Sequence, residues 1–206
     1  MSDFTYEFEN KNNRLEKYEW DNVWWECADT AGIPRVLYIG DSISCATRRF
    51  ANEAAGHGIF FDGFGTSKAV DNPYFAESVR LFAHQQGERA VILFNNGLHG
   101  WHLEDETAYK QYYEQFLQFL MAEFEGTPIV LLLTTAVADE RRNARVVTRN
   151  RMVTELAEAY QLPVVDLYAI THQHRDLLSH DGVHLTAEGY KLLAGELVAK
   201  VKEFLE

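Results

Sequence analysis

Short, mostly apolar bursts alternate along this sequence with longer stretches in which apolar residues recur every three or four positions. The bursts run from Arg35 to Ile39, Gly58 to Asp62, Ala90 to Asn95, Ile129 to Thr134 and Val164 to Asp166. Each is too short for a helix, and apolar character without alternation suits parallel strands buried on both faces. Strands alternating with helices predict an α/β fold around a mainly parallel, five-stranded sheet.

The longer stretches supply the helices. Between Glu104 and Phe124, the residues Tyr109, Tyr112, Phe116, Leu120 and Phe124 fall on one face and are assigned to the core. A last helix spans Thr186 to Phe204, with Thr186 as N-cap and Glu188 in its first turn. A third, from Asn143 to Tyr160, follows Arg141 and carries Arg145 and Arg149 at intervals of four, which reads as a solvated face. No repeat, low-complexity tract or linker interrupts the chain. Residues 1–206 therefore read as one domain, in which an N-terminal extension of about 30 residues docks through Trp20, Trp24 and Trp25.

Composition narrows the function. The 206 residues are 47% hydrophobic, enough for one core, and carry a formal charge of -12, which repels phosphate backbones and anionic lipid surfaces. Nucleic acid and membrane are not expected partners, and the oligomeric state is left open. The two cysteines, Cys27 and Cys45, fit neither a disulfide framework nor a zinc knuckle. Cys45 is a candidate reactive thiol only because it stands one helical turn from Ser42. The polar, acidic N-terminus resembles no signal peptide, and no stretch reaches the roughly 20 apolar residues of a membrane span, so a soluble, cytoplasmic protein is expected.

The first strand runs into Gly40-Asp41-Ser42, with a helix predicted from there through Phe50. Ligands of open α/β sheets bind beyond the carboxyl ends of the strands. At such a place a serine is either a helix cap or a nucleophile, and this stretch alone leaves both open. The stretch LSHDGVHLTAEGY near the other end of the chain tips the balance. There Asp181 and His184 stand three apart just before a helix, a spacing that lets a carboxylate hold the Nδ1 proton of an imidazole and leaves Nε2 free to take another. If the two strand ends are neighbours, His184 reaches Ser42.

These blocks resemble those of the SGNH (GDSL-type) hydrolases. The first block is Gly40-Asp41-Ser42-Ile43-Ser44 and the last is Asp181-Gly182-Val183-His184, and the similarity spans about residues 34–205. It implies a flavodoxin-like three-layer α/β/α sandwich and a serine esterase with Ser42 as nucleophile, His184 as base and Asp181 as orienting acid. It also implies an oxyanion hole built from the Ser42 N–H, a glycine after the second strand and an asparagine after the third. Gly65 is the best match for the glycine, with Gly63 the alternative. The third block departs from the family pattern, reading Phe94-Asn95-Asn96-Gly97. Asn95, at the end of the strand, is the choice for the oxyanion donor, with Asn96 the alternative donor or else turning the chain or bonding to the loop backbone.

The position two beyond Ser42 is Ser44, so the Gly-x-Ser-x-Gly elbow of the α/β-hydrolases is absent. A metal-dependent hydrolase is a rival class, because six of the eight histidines (His99, His102, His172, His174, His180 and His184) fall near predicted strand ends. No HExxH or matched carboxylate pattern accompanies them, so neither metal nor cofactor is expected. A binding module that kept the fold without the chemistry is a further rival. The expected substrate is a small short-acyl ester, an acetyl group on a carbohydrate being one form, with a lysophospholipase- or thioesterase-like activity as the alternative. Trp101 and His99, after the third strand, are the candidate substrate-binding residues, Trp101 as a platform for a sugar ring.

Overall fold

The computed structural model describes residues 18–206. Five parallel strands form its centre: β2 (Arg35–Gly40), β3 (Phe60–Thr66), β4 (Val91–Phe94), β5 (Ile129–Leu132) and β6 (Val164–Val165). A sixth strand, β1 (Asp21–Trp24), lies antiparallel on the outer edge of β3, and the order across the sheet is β1-β3-β2-β4-β5-β6. This strand comes from the N-terminal extension, which was expected only to dock. Within it, Trp25 stacks on Phe82 at 4.7 Å and the Trp20 N–H donates to Ser67 Oγ, whereas Trp24 remains half exposed. Residues 1–17 of the extension lie outside the described residues.

Helices cover both faces, giving a three-layer α/β/α sandwich. They are α1 (Ser42–Ala54), α2 (Phe75–Gln86), α3 (Glu106–Glu123), α4 (Glu140–Tyr160), α5 (Leu167–Gln173) and α6 (Ala187–Lys202). The side-chain alternation of the strands divides the core in two. Val36, Tyr38, Leu93 and Leu132 meet Leu193, Leu197 and Val201 of α6 on one face. Leu37, Ile39, Phe94 and Leu131 meet Phe116 and Leu120 of α3 and Val153 of α4 on the other.

The sequence reading needs two adjustments here. On α3 the buried ring is Tyr113 rather than Tyr112, because the face turned to Phe94 runs through Tyr109, Tyr113, Phe116 and Leu120. On α4 the arginines share no solvated face. Arg141 is exposed, but Arg149 is fully buried, its Nε on Glu106 Oε2 at 2.7 Å and its Nη atoms on the carbonyls of Gly97, His99 and Gly100. A guanidinium carries five donors in a rigid fork, so one side chain ties α4 and α3 to the loop that follows β4.

Without β1, the parallel strands run second, first, third, fourth, fifth in chain order. The order reverses around β2, so the ends of β2 and β4 border the crevice where α/β sheets bind ligands. Ser42 follows β2, and Asn95 and Asn96 follow β4.

Candidate active site

Asp41 caps helix α1. Its backbone is extended and its Oδ1 accepts the Ile43 N–H at 2.9 Å, so the capping role open to Ser42 is filled by its neighbour. Ser42 becomes the first helical residue, with its hydroxyl free to engage elsewhere. Its N–H is one of the four that the start of an α-helix leaves without an intrahelical partner.

The second half of the site is carried by the turn before α6. Leu178 and Leu185 form an antiparallel bridge, Ser179 N–H donates to the His184 carbonyl, and Gly182 turns the chain at φ +72°. A Cβ on Gly182 would lie 2.6 Å from Ala138 Cβ, so the close approach of the Ala138 methyl also favours glycine. Asp181 organises the turn from inside. Its Oδ1 accepts from Ser179 Oγ and from the Val183 and His184 N–H groups, and its Oδ2 lies 2.7 Å from His184 Nδ1. The i, i+3 spacing works here through a capped turn and not through a helix.

Phe50 on α1 stacks on Tyr190 on α6, their centroids 6.1 Å apart, and this packing holds α1 against the first turn of α6. His184 Nε2 then lies 2.8 Å from Ser42 Oγ. Hydroxyl, imidazole and carboxylate stand in one hydrogen-bonded line, an arrangement in which the imidazole can take the hydroxyl proton while the carboxylate holds the ring. Partial burial works to raise the Asp181 pKa. The donors from Val183, the His184 ring, Ser179 and the His184 N–H outweigh it, and hold the carboxyl well below the usual carboxylate range. The carboxylate therefore stays ionised beside the ring.

The other residues named from the sequence lie less simply. Gly65 is not in a loop after the second parallel strand. β3 continues through it, pairing Gly65 with Gly40 on one side and Asn22 on the other. A Cβ there would lie 2.2 Å from Cys45 Sγ, so the glycine admits helix α1 to the sheet. Gly63 does the same for Arg48, whose Nη1 would lie 2.6 Å from an added Cβ. Cys45 is correspondingly enclosed, and burial pushes its thiol up to about 11, against the reactive role.

The amide of Asn95, the expected oxyanion donor, is committed elsewhere. Its Nδ2 donates to both the Leu132 carbonyl at 2.6 Å and Thr134 Oγ1 at 3.0 Å, which uses both amide hydrogens to join β4 to β5. Asn96 leaves the backbone in the alternate direction and donates one hydrogen to the Lys68 carbonyl at 2.8 Å. Its second hydrogen has no acceptor among the described residues, and its Oδ1 is buried without a partner. Trp101 and His99 are both buried, so neither is a platform for substrate. The guanidiniums of Arg145 and Arg149 stand 4.8 and 4.6 Å from the centroid of the Trp101 ring, and the indole belongs to the core cluster beneath α6.

Among the described residues the six histidines named above form no metal-ligand group. The one group with suitable spacing is Glu26, Cys27 and His57, whose ligand atoms lie within 4.8 Å of one another. Sequence reasoning also missed Asp41 as the cap, Ser179 as a donor to Asp181 and Arg149 as the clamp on the 97–100 loop. The first two had a sequence signal, being an Asx and a Ser next to the motif residues. The third needed the packing of α3 against α4.

A model of the GDSL-like Lipase/Acylhydrolase family matches residues 38–192. A search of curated protein sequences gave no match. Among solved structures, a lipase/acylhydrolase from Enterococcus faecalis superposes with a TM-score of 0.67 at 17% identity, over 83% of this chain and 96% of that one. A carbohydrate esterase of family 3 from Talaromyces cellulolyticus gives 0.62 at 15% identity, over 83% and 97%. An acetyl xylan esterase gives 0.63 at 17% identity, over 81% and 99%.

Proposed function

The chain belongs to the GDSL-like lipase/acylhydrolase family and is a carboxylic ester hydrolase, and on that premise we propose that it is a serine esterase that removes short acyl groups through Ser42, His184 and Asp181. The observation that carries the reading is the unbroken line from Ser42 Oγ to His184 Nε2 at 2.8 Å and from His184 Nδ1 to Asp181 at 2.7 Å. Ser42 attacks the ester carbonyl while its proton passes to His184 Nε2. The alkoxide of the tetrahedral intermediate needs donors fixed in advance, and the Ser42 N–H and the uncommitted hydrogen of Asn96 are the two assigned to it. His184 then gives its proton to the departing alcohol, leaving an acyl group on Ser42. Water, deprotonated by the same imidazole, attacks that acyl group, the bond to Ser42 Oγ breaks as the imidazolium returns its proton to Oγ, and the carboxylic acid departs.

An acetyl group on a carbohydrate is the substrate form favoured. Two similar folds bear the names acetyl xylan esterase and carbohydrate esterase. The pocket that Cys45, one helical turn from Ser42, helps to line also carries Arg48, Arg49, Asn52 and Glu53, side chains able to hydrogen-bond a hydroxylated alcohol. The test is kcat/KM on 4-nitrophenyl esters of two to twelve carbons, with a fluorophosphonate probe read by peptide mass. Two- to four-carbon esters should outrun ten-carbon ones, and the probe should label Ser42. A preference for the long esters would point to a lipid substrate, and an unlabelled Ser42 would remove the serine mechanism.

A further inference from the structure

Positions 42, 45, 49 and 52 of helix α1 lie on one side of the helix, at intervals of three, four and three. The side that starts with Ser42 therefore continues past Cys45 to Arg49 and Asn52. A pocket of about 490 Å³ opens along it, closed on the far side by β1 and the residues after it, chiefly Trp24 and Glu26. The indole of Trp24 is 51% exposed.

Arg48 lines this pocket and differs from the other guanidiniums largely withdrawn from solvent. Arg35 is paired with Asp62 at 2.8 Å and Arg149 with Glu106 at 2.7 Å. Arg48 is 8% exposed, yet it has neither hydrogen bond nor ion pair among the described residues, and its Nη1 is fully covered without an acceptor. Its contact is the face of Trp24, whose centroid lies 5.4 Å from Cζ. The nearby carboxylates are engaged by others. Asp62 binds Arg35, Glu26 Oε2 accepts from Trp24 Nε1 and Asn52 Nδ2, and Glu53 lies 3.8 Å from Arg49. A buried cation without a partner is costly, and an anion entering the pocket would remove that cost.

We infer that this pocket is the subsite for the alcohol half of the ester, and that it binds a sugar ring bearing an oxyanion, carboxylate or phosphate, with the anion on Arg48 and the ring against Trp24. The inference rests on the reading of Ser42 as the nucleophile. Arg48 follows Ser42 by six residues, about 9 Å along the helix, so the anion belongs on a ring beside the acetylated one.

The test compares acetate release from three substrates: an O-acetylated galacturonate trimer, the same trimer with its carboxylates reduced to alcohols, and an O-acetylated neutral trimer carrying a phosphate. One charged substrate should exceed the reduced trimer by about tenfold or more in kcat/KM, the scale of one charge-assisted hydrogen bond, and which one does so identifies the anion. In Arg48→Met that ratio should collapse toward about one, with Arg48→Lys keeping part of it. Because Arg48 is buried, a second readout uses the wild-type chain. The unacetylated galacturonate trimer, or its phosphorylated neutral counterpart, should change the tryptophan fluorescence saturably, and Trp24→Phe should abolish the change. Equal or lower kcat/KM on both charged substrates, with no saturable fluorescence change, would overturn the inference while leaving the esterase intact. Saturable binding without acetate release from any substrate would instead sink the esterase reading and support the anion site.

Discussion

Two adjacent asparagines with the same side chain hold opposite positions, and the difference is one of strand alternation. Asn95 continues the face of Leu93 and spends its amide on β5, whereas Asn96 points the other way with a hydrogen to give. The sequence showed both residues but not which face of β4 each would take, and the expectation fell on Asn95, the one whose amide is committed to β5. Asn96→Ala should lower kcat by about 10² to 10³-fold with KM nearly unchanged, because the oxyanion exists only in the transition state. Asn95→Ala should cost less than about tenfold in kcat but lower the melting temperature, since it strips two bonds from the β4–β5 junction. Steady-state kinetics and melting curves on both variants check the assignment, which fails if the kcat loss falls on Asn95. Asp181 carries a second prediction. A carboxyl whose folded pKa is depressed contributes stability above its unfolded value, near 3.9, and loses it as pH falls toward the folded value. The gap in melting temperature between wild type and Asp181→Asn should therefore be steady above about pH 5 and narrow below about pH 4. A gap that stays constant through that range would contradict the hydrogen-bonded turn.

Helix α1 holds the hydroxyl where it is because the sheet beneath it lacks side chains at Gly63 and Gly65. The predicted strand stops at Asp62, and the family resemblance assigns a glycine after it to the oxyanion hole. The strand in fact continues to Thr66, its glycines serving the close packing of Cys45 and Arg48. Helix α2 is absent from the predicted helices although Phe75, Val79, Phe82 and Ala83 have helical spacing. The seven residues of α5 and four of β1 are too short for periodicity to register. Gly65→Ala should cost about 1 to 3 kcal/mol by overpacking. Adding Cys45→Ala, which removes the sulfur 2.2 Å from the new Cβ, should recover most of that loss and the accompanying loss of kcat. Denaturant melts and kinetics on the single and double variants decide it. Recovery of stability without recovery of kcat would return Gly65 to the oxyanion hole.

The molecule as a whole follows from the feature that was plainest in the sequence, five apolar bursts separated by helices. All five became parallel strands, and their order places the two ends of the chain's motif side by side: Ser42 after β2 and His184 before α6 are 142 residues apart in sequence, yet their Oγ and Nε2 lie 2.8 Å apart. The blocks containing Ser42, Asp181 and His184 were legible because each is a contiguous set of chemically specific residues at a helix start. The pocket beside α1 was not, because β1 and Glu26 reach α1 only through the pairing of β1 with β3, and Trp24 carries no local sign of facing it. Among the described residues no helix is long and apolar enough to cross a membrane. The central claim is that Ser42 is the nucleophile, and the direct measurement is kcat for 4-nitrophenyl acetate in purified, folded Ser42→Ala beside wild type. The account predicts a loss of roughly 10⁴-fold or more, matched by His184→Ala. More than a tenth of wild-type activity in Ser42→Ala would contradict it.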